Sequence, residues 1–485
     1  MKGNEPDGTE GTAPSQKHRS VEMPKQGPKV RVKNFNEVAL GYTEELALEE
    51  ASRCLQCKNP PCRKGCPVDV PIPQFIDCIR QGRYAEGIAV IKSKNALPAI
   101  CGRVCPQEDQ CQAKCVRGRK DEPVSIGRLE RFLADWEIEH GVQIPEKAPP
   151  TGKKVAIIGA GPAGLTAAAE LVRLGHDITL FEALHVGGGV LSYGIPEFRL
   201  PKAIVQKEIE YVQRLGVDLR LGYLIGRIHT IPELLKEGYD AIFIGTGAGL
   251  PQWLGVPGEN LGGVYSANEF LIRVNLMKAY AFPETDTPIR VGTHVTVIGG
   301  GNVAMDCARI SMRLGSTVCL NYRRSRNELP ARLEEIENAE EEGLICRFLS
   351  APSEFFGDEK GWVRSMKNVC MELCEVDASG RQGVRPIASS DFEMPVDTVI
   401  VAIGQTPNPI IQRTTDGLVT NPRNGTISVD AEGRTNLKGV YAGGDVATGS
   451  ATVISAMGAG KRAAKSMHEY LMNEVPRGDQ RSTEN

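Results

Sequence analysis

The sequence lacks any apolar run approaching the ~18 residues that a membrane-spanning helix needs, so no bilayer partner is expected. It also lacks an excess of charge. With 57 Lys and Arg against 60 Asp and Glu, the formal net charge is −3, and no basic field advertises nucleic acid. The first thirty-odd residues carry no apolar signal-peptide core, so a cytoplasmic location is the expectation. Two further absences narrow the chemistry. The stretch HVGGGVLSYGIPEFRLP (185–201) has no cysteine pair, which argues against a redox-active disulfide. Lys2 follows Met1, so no N-terminal cysteine is available to hydrolyse glutamine, and any such step would belong to another chain.

What is present is concentrated. Nine of the fourteen cysteines lie between Cys54 and Cys115, and with no export signal this density points to metal chemistry rather than disulfides. The first group runs Cys54-x2-Cys57-x4-Cys62-x3-Cys66-Pro67, and the second runs Cys101-x3-Cys105-Pro106-x4-Cys111-x3-Cys115. Short thiolate loops closed by proline resemble ferredoxin runs, in which the last cysteine often serves the other cluster. Zinc is the alternative, but structural zinc sites favour two C-x2-C pairs and only one exists here. Cys78, Cys307, Cys319, Cys346, Cys370 and Cys374 are expected to be buried small hydrophobes.

Residues 1–35 are Gly-, Pro- and charge-rich and read as a flexible tail, as do 476–485. Residues 36–150 read as a small helical cysteine domain, ending in a linker near 141–154, and from there the pattern is βαβ. The chain then repeats itself. VAIIGAGPAG (155–164) aligns without a gap on VTVIGGGNVA (295–304), and the same offset of 140 residues carries ITLFE onto VCLNY. YDAIFIGTG (239–247) and VDTVIVAIG (396–404) form a second echo. In the first unit, Gly159, Gly161 and Gly164 suit a tight turn, a pyrophosphate at a helix N-terminus and close helix–strand packing. Glu182 ends the next strand and fits an unphosphorylated adenosine ribose, so FAD or NAD would suit. In the second unit Gly299 and Gly301, with Asn302 opening the helix, repeat the turn. There Glu182 is replaced by Tyr322, followed by Arg323, Arg324 and Arg326, the guanidinium groups that a 2′-phosphate requires. NADP(H) is expected at that site. Gly444 and Asp445, in YAGGD before a small-residue helix, read as the far half of the flavin site.

From about Val38 to Leu471 the chain resembles the NADPH-dependent glutamate synthase small (beta) subunit family. That family includes the large subunit of NADH-dependent ferredoxin:NADP oxidoreductase and the N-terminal half of dihydropyrimidine dehydrogenase. The motifs are CLQCKNPPCRKGCPVDVPIPQFI, CGRVCPQEDQCQAKCVRG, IGRLERF, GAGPAG, YGIPEFRLP, GGGNVAMD, YRRSRNELPA and AGGD. The resemblance implies an α/β chain in which a helical iron-sulfur domain precedes two Rossmann-like dinucleotide-binding domains. A discontinuous FAD domain (151–285 and 396–475) would enclose an NADPH domain (286–395). It further implies two [4Fe-4S] clusters, one on Cys54, Cys57, Cys62 and Cys115 and the other on Cys66, Cys105, Cys111 and Glu130, with Cys101 a spectator. Hydride would pass from NADPH to FAD, and electrons would leave through the clusters to a glutamate synthase large subunit or to a ferredoxin- or NAD-linked flavoprotein subunit. No catalytic side chain is needed for that.

Overall fold

The computed structural model describes residues 19–376, 380 and 382–473, so the flexibility expected for 1–18 and 476–485 lies outside the described residues. Residues up to His140 are helical. Proline opens the helices Pro61–Lys64, Ile72–Arg80 and Pro98–Val104 in their first turns, where its missing N–H costs nothing. Ile72, Phe75, Ile76 and Ile79 recur at helical spacing and are buried together, so this helix covers the small core, while Cys54, Cys57, Cys66, Cys105, Cys111 and Cys115 occupy turns and Cys62, Cys78 and Cys101 sit in helices. The long helix Ile126–His140 packs behind them.

Two five-stranded parallel sheets follow. The first has the order Val440–Ala442, Ala241–Ile244, Lys154–Ile158, Asp177–Phe181, Asp218–Arg220. The second has the order Val264–Ser266, Thr398–Val401, His294–Ile298, Thr317–Tyr322, Ile345–Phe348. Both central strands are buried along all but their first residue, as sheets covered on both faces require. The repeated segments thus occupy equivalent places in twin sheets. The pairing moves the edges of the second unit, because Val264–Ser266 and Thr398–Val401 fall outside the expected 286–395. Thr398–Val401 pairs with His294–Ile298 on one side, and Val264–Ser266 covers the edge that would otherwise be open.

Other expectations need correction. Residues 19–35 do not form a tail: the short helix Pro28–Arg31 docks through Arg31, which is 1% exposed and paired with Glu341 and Glu342 at 2.8 Å. Charge pairing holds this segment together with a few apolar contacts, Met23 being buried and Phe35 stacked on Tyr280 with ring centroids 4.2 Å apart, and mean apolar content is too coarse to report either. An antiparallel sheet built on Val363–Val376 was not anticipated. Cys370 and Cys374 lie on that strand and are only partly covered, as are Cys319 and Cys346, so of the six cysteines expected to be buried hydrophobes only Cys78 and Cys307 are buried.

The C-terminal helix Val453–Asn473 lies against the helix Pro162–Arg173. Gly460 makes this possible, since a methyl there would sit 2.2 Å from the Ala163 carbonyl oxygen.

Candidate functional site

The two glycine turns share one division of labour. Gly159 adopts φ +101°, and Gly164 lies so close that a methyl would meet the Gly159 carbonyl oxygen at 1.9 Å. These two shape the turn. Gly161, by contrast, caps the helix Pro162–Arg173 without a side-chain bond, and nothing lies within 4 Å of where its methyl would be. The free amides of the first helical turn therefore face open space, which is a ready anion site. Gly299 (φ +136°) and Gly301 repeat this before the helix Asn302–Arg313, with open space again in front of Gly301.

Glu182 is buried, with Oε2 accepting from the Ala160 N–H and Oε1 from the Leu184 N–H, both at 2.9 Å. Burial pushes its carboxyl above the usual range and these amides pull it back only in part. Asp445 is likewise pushed up by burial while accepting from the Ala451 N–H. Both carboxylates act through space on the Tyr193 phenol, which burial first, then Asp445 and Glu182, push up to about 12. The structure therefore gathers Glu182, Tyr193 and Asp445 beside the first glycine turn; Tyr193 was not singled out from the sequence. Gly444 closes the group, since a methyl there would lie 3.0 Å from the Ala163 Cβ.

At the second turn the three arginines separate. Arg326 forks onto Glu340 at 3.0 and 2.8 Å, and Arg324 donates its Nε to the Gln382 carbonyl at 2.7 Å. Arg323 is exposed and makes no hydrogen bond or ion pair among the described residues. Tyr322 donates its hydroxyl to the Glu328 carbonyl, holding the following loop over the turn. Asn302 accepts at Oδ1 from the Arg332 N–H.

The cysteines form two adjoining groups. Cys54, Cys57, Cys62 and Cys115 line one pocket with Ile72 and Ile76 behind them. Burial first, then the neighbouring Cys115, push the Cys62 thiol up to about 12. The second group is Cys66, Cys105, Cys111 and Glu130. Burial, with Glu130 the largest carboxylate influence, pushes Cys66 up to about 11. Cys111 stands well above its ordinary value for the same reasons. Burial raises Glu130 itself to about 7, although Asn95 donates to its Oε1 at 2.7 Å. Soft donors crowded in apolar surroundings, with the Cys54, Cys62, Cys66, Cys105 and Cys111 thiols all held above their ordinary value, fit a polynuclear iron cluster whose positive charge stabilises thiolates. Among the described residues no three His, Cys, Asp or Glu converge on one point fit for a single ion. Cys101 adjoins this group: it is buried, shares a side-chain hydrogen bond with Cys105, and has its sulfur 3.5 Å from the Met457 sulfur and 3.7 Å from Asn95 Oδ1. Met457 gave no sequence signal because its contact is 356 positions away, and Asn95 gave none because its bond to Glu130 depends on how two helical segments pack.

Comparison with known proteins agrees with this layout. Residues 31–142 match the family described as dihydropyrimidine dehydrogenase domain II, 4Fe-4S cluster, and residues 153–460 match pyridine nucleotide-disulphide oxidoreductase. The chain is 36% identical over 464 residues to the glutamate synthase [NADPH] small chain of Escherichia coli, covering 93% of this chain and 97% of that one. It is 42% identical over 437 residues to the NADP(+)-dependent formate dehydrogenase subunit beta of Moorella thermoacetica. That match covers 85% of this chain but only 60% of the relative's length. FprA of Mycobacterium tuberculosis, solved in complex with NADPH, shares the fold with a TM-score of 0.56 at 21% identity, over 67% of this chain and 85% of that one. The sheets, glycine turns and cysteine groups thus define a pyridine-nucleotide oxidoreductase with an iron-sulfur domain in front. The chain belongs to the glutamate synthase small (beta) subunit family, whose cofactors are FAD, NADP(H) and 4Fe-4S clusters.

Proposed function

We propose that this chain takes electrons from NADPH and delivers them to a partner subunit, in the manner of a glutamate synthase small subunit. FAD and the clusters supply the redox chemistry when bound, accepting a hydride and releasing electrons singly. The residues hold and orient. The helix starting at Pro162 would receive the FAD pyrophosphate, with Glu182 at the ribose and Gly444 and Asp445 on the far side. Gly299, Gly301 and Asn302 would seat the NADPH pyrophosphate, and Arg323 with Arg324 would meet the 2′-phosphate. Cys54, Cys57, Cys62 and Cys115 would ligate one cluster, and Cys66, Cys105, Cys111 and Glu130 the other.

One contact carries the reading. The helix that closes the flavin side touches the second cysteine group twice, through Met457 on Cys101 and through Gly458, where a methyl would lie 3.0 Å from the Pro67 carbonyl oxygen. No separate domain intervenes, so electrons have a short route out of the flavin site. No helix of the described residues is long and apolar enough to cross a membrane.

The test is an assay of the isolated holoprotein. It should oxidise NADPH with ferricyanide or viologens, yet form no glutamate from glutamine and 2-oxoglutarate until a larger subunit is added. Glutamate made by the isolated chain would sink the proposal. The similarity to the formate dehydrogenase beta subunit favours a second reading, in which the same electron route serves a formate-oxidising partner. Formate-dependent NADP+ reduction with the co-purifying chain would select it, and coupled reduction of ferredoxin and NAD+ would displace both.

A further inference from the structure

We propose that Arg332 is a positioning residue that couples occupancy of the second dinucleotide site to the loop between Cys105 and Cys111; the proposal rests on the cofactor reading above. Its main-chain N–H donates to Asn302 Oδ1 at 3.0 Å, and Asn302 is the first residue of the helix whose N-terminus faces open space. Its guanidinium forks onto Glu108, Nε to Oε1 at 3.0 Å and Nη2 to Oε2 at 3.3 Å. Glu108 lies between Cys105 and Cys111, so one residue joins the dinucleotide turn to a cysteine loop that is more than 200 positions away in sequence.

Three features make the link stiff. The Arg332 side chain is 8% exposed against 35% for Glu108, so water reaches the pair from the carboxylate side only, and its fork fixes direction as well as distance. Arg332 also caps the helix Leu333–Glu341, whose Glu335 pairs with Arg199 of the first unit and with Arg309 of the second. Leu329 and Tyr322 press on Gly300, where a methyl would approach each to 2.7 Å, so the loop leading to Arg332 rests on the turn itself. A pyrophosphate arriving at the helix N-terminus draws on the Asn302 amide, and Arg332, tied at its backbone and at its side chain, passes that displacement to Glu108. Linkage makes the effect reciprocal: the oxidation state of the cluster on that loop changes dinucleotide affinity by the same factor. Arg332 also lies 3.4 Å from Glu334, a carboxylate on its own helix that does not reach the cysteine loop, which provides an internal control.

The experiment uses the holoprotein and 2′-phospho-ADP-ribose, which has the pyrophosphate and 2′-phosphate of NADP+ without a reducible ring. The electron paramagnetic resonance spectrum of the reduced clusters is recorded with and without this probe, and its Kd is measured with the clusters oxidised and reduced. Wild type and Glu334→Gln should show a probe-induced spectral change and a Kd difference of about fivefold between oxidation states. Glu108→Gln and Arg332→Lys should bind the probe yet lose both differences; if one variant fails to load iron, the other decides. Either variant retaining the full change overturns the coupling, as does a wild type that binds the probe with no change. Absence of a four-iron signal or of probe binding would overturn the underlying cofactor reading, and the coupling with it.

Discussion

Of the three arginines that follow Tyr322, two have partners among the described residues and one has none there. Arg326 is held by Glu340, and Arg324 is anchored through its Nε on the Gln382 carbonyl, so in the proposed reading Arg323 is the guanidinium with nothing to give up when it meets a 2′-phosphate beside Arg324. Arg323→Ala should weaken NADPH binding by about 2 kcal/mol, roughly thirtyfold, and leave NADH nearly unchanged, as titrations with each coenzyme would show. Equal loss of both coenzymes would make the residue structural. The glycine turns were legible from sequence because their demands are local: Gly159 needs its positive φ, and Gly164 needs the missing methyl, within six residues of one another. The separation of the arginines was not legible. It depends on Gln382, which a strand pairing brings into reach from 58 positions away.

At the scale of elements, the helix Leu333–Glu341 and the following Glu342 form a hub. Glu342 bonds Arg31, Arg309 and Arg313, all buried. Burial pushes its carboxyl up, but the bonds from Arg309 and Arg313 outweigh burial and bring its pKa down to about 2. A carboxyl lowered on folding stabilises the protein above its ordinary pKa of 4.5, and that contribution fades as the pH falls from there through about 2. Residues 19–35 should therefore become cleavable by an acid protease within that window. Glu342→Gln, which leaves buried guanidinium groups uncompensated, should cost roughly 3–5 kcal/mol in urea denaturation at neutral pH. A variant as stable as wild type would deny the hub its role. A second element-scale test concerns the flavin side. Gly460→Ala must push the C-terminal helix off Ala163, so the purified variant should lose most of its FAD absorbance while keeping iron. Iron lost together with FAD would mean that the helix supports the whole fold. The twin sheets could be read from the 140-residue repeat, since strand and glycine turn recur as a unit. The docking of Arg31 could not, because its partners lie 310 and 311 positions away and charge pairs leave no periodic trace.

For the whole molecule, the adjoining cysteine groups set a stoichiometry: anaerobically purified protein should contain about eight iron and eight sulfide per chain. One or two zinc with negligible iron would refute both clusters. Their grouping could be read from sequence only through resemblance, for Glu130 carries no local mark that separates it from an exposed helix carboxylate. The packing of the C-terminal helix on Pro162–Arg173 has a consequence for biosynthesis. Lys461 and its partner Glu170 are 291 positions apart, so at ~5–20 residues per second a ribosome needs roughly 15–60 s to travel from one to the other. Throughout that interval the nascent first sheet has its glycine turn but not the helix that shuts it. The cysteine turns have by then been synthesised, while the second sheet is still being made or waiting. Metal insertion at the first cysteine group can thus begin on the emerging chain, whereas the flavin side and the second cysteine group, which the helix Val453–Asn473 touches through Met457 and Gly458, are closed only when that helix arrives.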